Sequence, residues 1–537
     1  MSRKSFVKGA AILAAAGLIS KFIGALFRIP MMNIIGSTGM SYYQMAYPIY
    51  NFLLIVSTAG IPTAISKMVA ENIAVGNYRD AHRVFKISVR LMLITGGTAF
   101  VIFALASKLT ARIMGAEEAV YSILAISPSL VIVTLLSSFR GYFQGMQHMT
   151  PTALSQIVEQ LGKLILGLWF ASMYISKGPE YGAAAAVAGV TLSEGAALAL
   201  VMGMYRRKKK EILRSVRQSA QPRLRVSGRS ILSRLVLISF PVTIGSSIMP
   251  LIGVADSLIV VNRLVQIGFN EEQAKSLYGL LTGGANPLIN FPAVLTIAMA
   301  MSLVPAISES YANKDYRGIV QKTEVGVRLT LLLGLPAAAG MAILARPICA
   351  LLYPRLPEAE ITATGNILAI LSVGVVFLTL VQTLTAILQG LSKMAIPVRN
   401  LAIGALFKVV ITYVLVGNLA FHVRGAAIGT VVCYGIAAFL DLAAVIRYSK
   451  IRFRFADFIL KPVAAVALMS LSVYFSYNFL TGALGGSKAT LLAIAVGVLV
   501  YALALLALGG IDRDVLDLLP GGSRLGKVLY RLKLIRD

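Results

Sequence analysis

Charge is what this sequence has least of, and the little it carries is lopsided. Only 13% of the 537 residues are charged, against about 25% in an ordinary soluble domain. With 57% hydrophobic residues and a mean hydropathy of +0.80, a water-soluble fold is excluded. Acidic residues number 22 against 50 Lys and Arg, a net charge of +28. In a soluble protein that excess would point to nucleic acid. Here the basic residues sit at the chain ends and in the gaps between apolar runs, so they read as topology signals facing anionic membrane lipids, and no nucleic acid is expected as partner. Cysteine is nearly absent: Cys349 and Cys433 form no CxxC pair, which removes a disulfide framework and a zinc site. The three histidines, His82, His148 and His422, fall near the ends of apolar runs without metal-ligand spacing. No Walker-type phosphate loop is present, and no connection is long enough for a catalytic domain. The chain therefore reads as a non-enzyme with no cofactor and no metal.

What is abundant is long apolar runs. A membrane span needs roughly 20 such residues. Runs at 8–30, 42–70, 87–107, 119–147, 151–175, 181–205, 232–261, 277–311, 323–345, 361–388, 397–417, 425–446, 457–478 and 489–510 predict an all-α integral membrane protein of about fourteen helices. The apolar N-terminal run mimics a signal peptide, but it continues to Pro30 and is followed by further spans, so it is expected to stay as the first helix. Lys and Arg in alternate connections number 32 on one side and 9 on the other. By the positive-inside rule both termini and the 206–230 connection face the cytoplasm. That connection, headed by Arg206-Arg207-Lys208-Lys209-Lys210, reads as a solvated linker, with an interfacial amphipathic helix as the alternative.

The linker separates two halves that resemble each other. Gln144-Gly145-Met146-Gln147-His148-Met149 is echoed 245 residues later by Gln389-Gly390-Leu391-Ser392-Lys393-Met394, and Lys163 by Lys408 at the same offset. Ala64-Ile65-Ser66 is echoed by Ala306-Ile307-Ser308, and Tyr78-Arg79 by Tyr316-Arg317. Several matches in one order predict parallel six-helix repeats: a lobe over 1–205, the linker 206–230, and a lobe over 231–447. An extra helix pair at 448–510 and a cytoplasmic tail at 511–537 follow. Such repeats place a substrate site between the halves, with rocking of the halves giving alternating access.

A charge inside a span costs about 3 kcal/mol on insertion scales, so each needs a partner, a cavity or water. Lys21 and Arg28 lie two turns apart on one face of the first span. Glu159 and Lys163 form an i, i+4 pair on the fifth, beside Gln156 and Gln160. Glu194, Asp256 and Asp441 are single carboxylates, Lys408 is mid-span, and Arg140, Arg263 and Arg399 sit at span ends. One reading is a cationic cavity in which Lys21, Arg28, Lys163 and Lys408 meet a phosphate-bearing substrate. The other is internal pairing, Glu159 with Lys163 above all. Asp256 and Asp441 are either structural or hold a coupling cation. Asn286-Pro287 and Asn290-Phe291-Pro292 break the eighth span and suit a helix that lines a cavity or bends.

The stretch Ser20-Lys21-Phe22-Ile23-Gly24, then Arg28, Gly36 and Gly60-Ile61-Pro62-Thr63-Ala64-Ile65-Ser66-Lys67, resembles flippases of the multidrug/oligosaccharidyl-lipid/polysaccharide superfamily. Ser302-Leu303-Val304-Pro305-Ala306-Ile307-Ser308-Glu309 looks like the stage V sporulation protein B branch of the polysaccharide transporters, which is similar to the MurJ-type lipid II flippases. The resemblance covers essentially the whole chain. It implies a flippase in the bacterial cytoplasmic membrane that carries a polyprenyl-pyrophosphate-linked glycan, with cell-wall synthesis enzymes as further candidate partners. It also implies that Lys21 matches a functionally important cationic position, with Arg28 within one residue of a second. Asn286-Pro287 stands where the MurJ type has an essential arginine, so either Lys163 or Arg263 supplies that charge or the cargo differs. The set of candidate substrate-binding residues is thus Lys21, Arg28, Glu159, Lys163, Arg263, Asn286, Asn290 and Lys408. The alternative within the superfamily is a cation-coupled multidrug exporter, for which a carboxylate-rich cavity would be expected. The first three spans contain no mid-span carboxylate.

Overall fold

The computed structural model describes residues 3–58, 60–219, 227–451, 458 and 460–509, and side chains over the same ranges except 3–12, 14 and 241. The expected tail 511–537 and part of the expected linker, 220–226, lie outside the described residues. Among those described, helix is the sole regular structure. Among the described residues, twelve helices are long and apolar enough to cross a membrane. The expected fourteen differ at two places. The first candidate, Ala15–Ala74, contains a break at Gly36, and the expected fifth span is cut into pieces by a π-helical turn.

The chain divides into two compact units, Met1–Gly279 and Leu280–Asp537. The first contains α1 (Arg3–Thr58), α2 (Ile61–Ala74), α3 (Tyr78–Leu105), α4 (Ser107–Ile113), α5 (Val120–Ile126), α6 (Ser129–Gly145), α7 (Thr150–Gly162), α8 (Leu168–Tyr174), α9 (Pro179–Gln218), α10 (Gly228–Gln266) and α11 (Glu271–Gly279). The 56 residues of α1 are two helices joined at Gly36, whose φ of 68° favours a residue without a Cβ. Compactness divides the chain later than the expected linker because α10 and α11 pack on α1. Ser276 donates to Ser37 at 3.0 Å, and a Cβ on Gly279 would sit 1.9 Å from the Ser37 carbonyl oxygen. The buried Lys275 pairs with Glu118 at 2.9 Å. The apolar core of this unit is built by α2, α3, α6 and α9 around Ile65, Phe85, Phe143 and Ala197.

Where hydropathy predicts a linker from Arg206, the helix α9 continues to Gln218. Lys, Arg and Glu are strong helix formers, so the end of the apolar run is not the end of the helix.

The second unit opens with a π-helical turn, Leu280–Ala285, and continues as α12 (Asn286–Ala312), α13 (Tyr316–Ile343), α14 (Ala345–Leu352), α15 (Glu358–Gly390), α16 (Ala395–Val416), α17 (Arg424–Ser449), α18 (Lys461–Leu484) and α19 (Gly486–Ala507). The buried Tyr353 donates to the Gly284 carbonyl at 2.8 Å, satisfying a backbone group within the π turn. The last pair, α18 and α19, packs on α13 and α14, and Tyr501 donates to the Leu332 carbonyl at 2.8 Å.

The echoed sequences have the same local geometry in each unit. Gln147 and Ser392 both adopt positive φ, 59° and 61°. The following amides, His148 and Lys393, bond back five residues to Phe143 and Leu388 at 2.9 and 2.8 Å. Gly145 packs against Ser66 and Val69 on α2, and Gly390 against Val304 and Ile307 on α12. Asn77 and Asp315 cap the helices that follow them, accepting from Asp80 and Gly318 at 3.1 and 2.9 Å.

Candidate functional site

The second half of α1 carries Tyr43, Tyr47 and Tyr50, an i, i+4, i+7 stripe on one helical face. The rings form a ladder: Tyr43 stacks on Tyr47 with centroids 5.2 Å apart, and Tyr47 meets Tyr50 edge-on at 5.8 Å. Phe27, on the first half of α1, touches Tyr43 at 6.2 Å. Against this wall lies the polar face of α7, extended by the π turn Lys163–Gly167 before α8. Small residues allow the approach. A Cβ on Gly167 would meet the Phe27 ring at 3.0 Å, and one on Gly189 of α9 would meet the Gly167 backbone at 2.6 Å. The π turn widens the helix locally, a feature concentrated at functional positions.

Lys163, the first residue of that turn, places its ammonium 2.9 Å from the Tyr47 hydroxyl and 5.0 and 4.9 Å from the ring centres of Phe27 and Tyr47. The charge is held by a hydroxyl and two π faces. Arg28, half-buried about two turns before the Gly36 break, is near enough to Tyr43 and Tyr47 to act on both electrostatically. Lys21 is exposed two turns further along α1.

The Glu159–Lys163 pair, one of the two readings left open by the sequence, does not form. Glu159 accepts from Arg140 at 2.9 Å, and Arg140 also donates to Ser155 at 2.9 Å. Arg140 approaches from α6, a neighbour that spacing along α7 does not reveal. Among the described residues, none of Lys21, Arg28 and Lys163 has a carboxylate within ion-pair distance. At the foot of the ladder Tyr50 donates to Glu194 at 3.1 Å, and Glu194 is 5% exposed with its second oxygen unpartnered among described residues. The first unit thus contains a cationic, tyrosine-lined wall with one buried carboxylate behind it.

Four of the eight expected residues, Lys21, Arg28, Glu159 and Lys163, fall on α1 and the α7 segment that faces it. Arg263 lies elsewhere in the unit, in the last turn of α10, bonded to Gln266 at 2.7 Å. Asn286, Asn290 and Lys408 belong to the second unit. The Asn290 amide donates to the Asn286 carbonyl at 2.9 Å, a contact within the start of α12. Lys408 is 6% exposed, its stem packed beside Gly429 of α17. Asp441 is buried and accepts from Asn400 at 2.8 Å through one oxygen, the other having no hydrogen-bond partner among the described residues. The tyrosine ladder was missed by a search for charge, although its 43, 47, 50 spacing is visible in the sequence.

The family model described as polysaccharide biosynthesis protein matches residues 6–311, and a second, MatE, matches residues 282–414. Stage V sporulation protein B of Bacillus subtilis (strain 168) is 28% identical, over 98% of this chain and 99% of its own. The lipid II flippase MurJ of the same organism is 27% identical, over the same shares of the two chains. Among solved structures, a lipid II flippase MurJ in an inward closed conformation aligns with a TM-score of 0.69 at 15% identity, covering 92% of this chain and 98% of that one. With one family model spanning more than half its length and relatives aligned from end to end, this chain is a multi-pass membrane protein that belongs to the polysaccharide biosynthesis protein family.

Proposed function

We propose that this chain is a flippase that exports a lipid-linked cell-wall precursor, lipid II or a related undecaprenyl-pyrophosphate glycan, across the bacterial cytoplasmic membrane. Its six-helix lobes give alternating access, and both termini lie in the cytoplasm. The observation that carries this reading is the state of Lys163. The one carboxylate on its own helix face is paired with Arg140, so Lys163 stands on Tyr47 and Phe27 with no carboxylate within ion-pair distance among the described residues. Together with Arg28 it forms a cationic wall suited to a pyrophosphate, whose oxygens accept charge-assisted hydrogen bonds. Lys21, exposed further along the same helix, extends that charge. Relatives named for lipid II transport and for sporulation, aligned over nearly the full chain, support the same cargo class. Asn286 and Asn290 beside the π turn of the second unit, Lys408 and Arg263 are secondary candidates for contact with the glycan or pyrophosphate.

The test is replacement of the resident lipid II flippase in a rod-shaped bacterium by this chain and by its Lys21→Ala, Arg28→Ala and Lys163→Ala variants at matched levels. Survival and external accessibility of lipid II are scored. Rescue by wild type, lost in Arg28→Ala and Lys163→Ala, is expected. No rescue by well-inserted wild type removes lipid II as cargo. Export of cationic dyes by the same cells would instead favour the multidrug reading, to which the MatE match lends its weight.

A further inference from the structure

A cavity lies in the first unit, away from the tyrosine wall. It has a volume of about 490 Å³ and is enclosed by the ends of α2, α3 and α6 and by the polar continuation of α9. All four segments adjoin connections on the arginine- and lysine-rich side of the chain. That volume falls in the range of small-molecule sites, about 300–1,000 Å³.

Its lining has two chemistries. One wall is apolar: Ala70, Ile73 and Ala74 from α2, with Ile212 and Val216 from α9. The other is basic. Lys208 places its ammonium 3.5 Å from Nε2 of His148, which stands in the connection between α6 and α7. Two proton-bearing nitrogens at that distance are compatible only while the imidazole is neutral and accepts. Burial, and next Lys208, push the His148 pKa below its ordinary value, while Glu211 opposes them. The field around the cavity is positive. His82, in contact with the lining residue Tyr142 at 3.4 Å, is acted on by Lys86 and Lys209. The other titratable groups facing His148 from the surrounding elements are Tyr78 on α3, Tyr142 on α6, and Lys208 and Glu211 on α9.

We propose that this cavity is a binding site for a phosphate monoester or diester attached to an apolar group, the phosphate bridging Lys208 and His148 and the apolar part lying on the α2–α9 wall. An anion between the two nitrogens offsets the repulsion that protonating His148 beside Lys208 would create and lets both donate, Lys208 as a point charge and His148 as an imidazolium. The phosphate comes either from a lipid headgroup entering from the bilayer or from a soluble ester. Neither requires the transport reading above, since all four walls belong to one unit and none holds a residue of the cationic wall. Binding takes up a proton on His148, so affinity rises as pH falls. Glu211 is the one carboxylate in the lining, and its removal strengthens binding.

The experiment uses the full chain in phosphatidylcholine nanodiscs, titrated calorimetrically with dioctanoyl phosphatidate, inorganic phosphate and dioctanoylglycerol. Saturable phosphatidate binding is expected, several-fold tighter at about pH 6 than at about pH 8. Lys208→Gln weakens it about tenfold or more, Lys208→Arg retains most of it, and His148→Gln loses the tightening at low pH, leaving only the slope that the phosphate's own second ionisation gives. Glu211→Gln tightens it. Because a cationic variant can fail to insert, Ala74→Phe, which fills the apolar wall and leaves every charge, is the second probe, and it too must weaken binding. Competition by inorganic phosphate at comparable affinity supports a soluble ester as the source, and its absence supports a lipid headgroup. Equal binding of dioctanoylglycerol, or phosphatidate binding unchanged in both Lys208→Gln and Ala74→Phe, overturns the proposal.

Discussion

The ion pair between Arg140 and Glu159 decides whether Lys163 is available, so breaking it tests the site from a residue that is not itself in the cationic wall. Their side chains are 15% and 22% exposed, so the pair is mostly but not wholly desolvated. Removing one partner of a fully buried pair costs about 3–5 kcal/mol, because the survivor is left charged in a poor solvent. Partial exposure, and the second bond from Arg140 to Ser155, place Arg140→Gln at about 2–3 kcal/mol. Glu159→Gln leaves an arginine that still has Ser155 and is expected to cost less, about 1–2 kcal/mol. In the double variant two amides of similar shape replace the pair. Its cost should fall below the sum of the single costs by about 2 kcal/mol. Stability is read from denaturant unfolding of the purified chain in one detergent. Transport is read in the depletion strain. In Arg140→Gln the freed Glu159 lies one turn from Lys163 and competes for its ammonium, so export should fall in the single variant and recover in the double one. Additive stabilities, with coupling below about 0.5 kcal/mol, would refute the energetic argument. Export equally impaired in both variants would refute the link to Lys163.

Two further expectations follow from packing. Gly145→Ala should destabilise by about 1–3 kcal/mol, since its Cβ would lie 2.7 Å from the Val69 Cβ and 2.8 Å from the Ser66 carbonyl, whereas Gly97→Ala, in open space inside α3, should be neutral or stabilising by up to about 1 kcal/mol. Parallel unfolding curves of the two variants check the contrast. Tyr353→Phe should cost about 1–2 kcal/mol by releasing the Gly284 carbonyl in the π turn, and amide exchange around 280–285 should rise.

The amino-acid sequence by itself determined the solvent this protein lives in and the order of its helices, which are properties of local composition: apolar runs against scarce charge. The expected break at Asn290-Phe291-Pro292 is not among them, because α12 runs as one helix from Asn286 to Ala312 with Pro292 inside it. It also determined the echoed caps at Gln147 and Ser392, because a cap is set by a handful of neighbouring residues. Family membership was legible at Lys21, Arg28 and the Gly60–Lys67 stretch for the same reason. Only the tertiary structure decided which charges meet. Glu159 is four residues from Lys163 yet bonds to Arg140 on another helix, because a partner is chosen by helix rotation and register, which spacing along one helix does not encode. The tyrosine ladder became a wall for the same reason, once Gly167 and Gly189 let the π turn and α9 pack closely beside Phe27. The continuation of α9 past its apolar run was decided by helix propensity and by tertiary contact of Tyr205 and Ile212 with the core of the first unit, where hydropathy has nothing left to report.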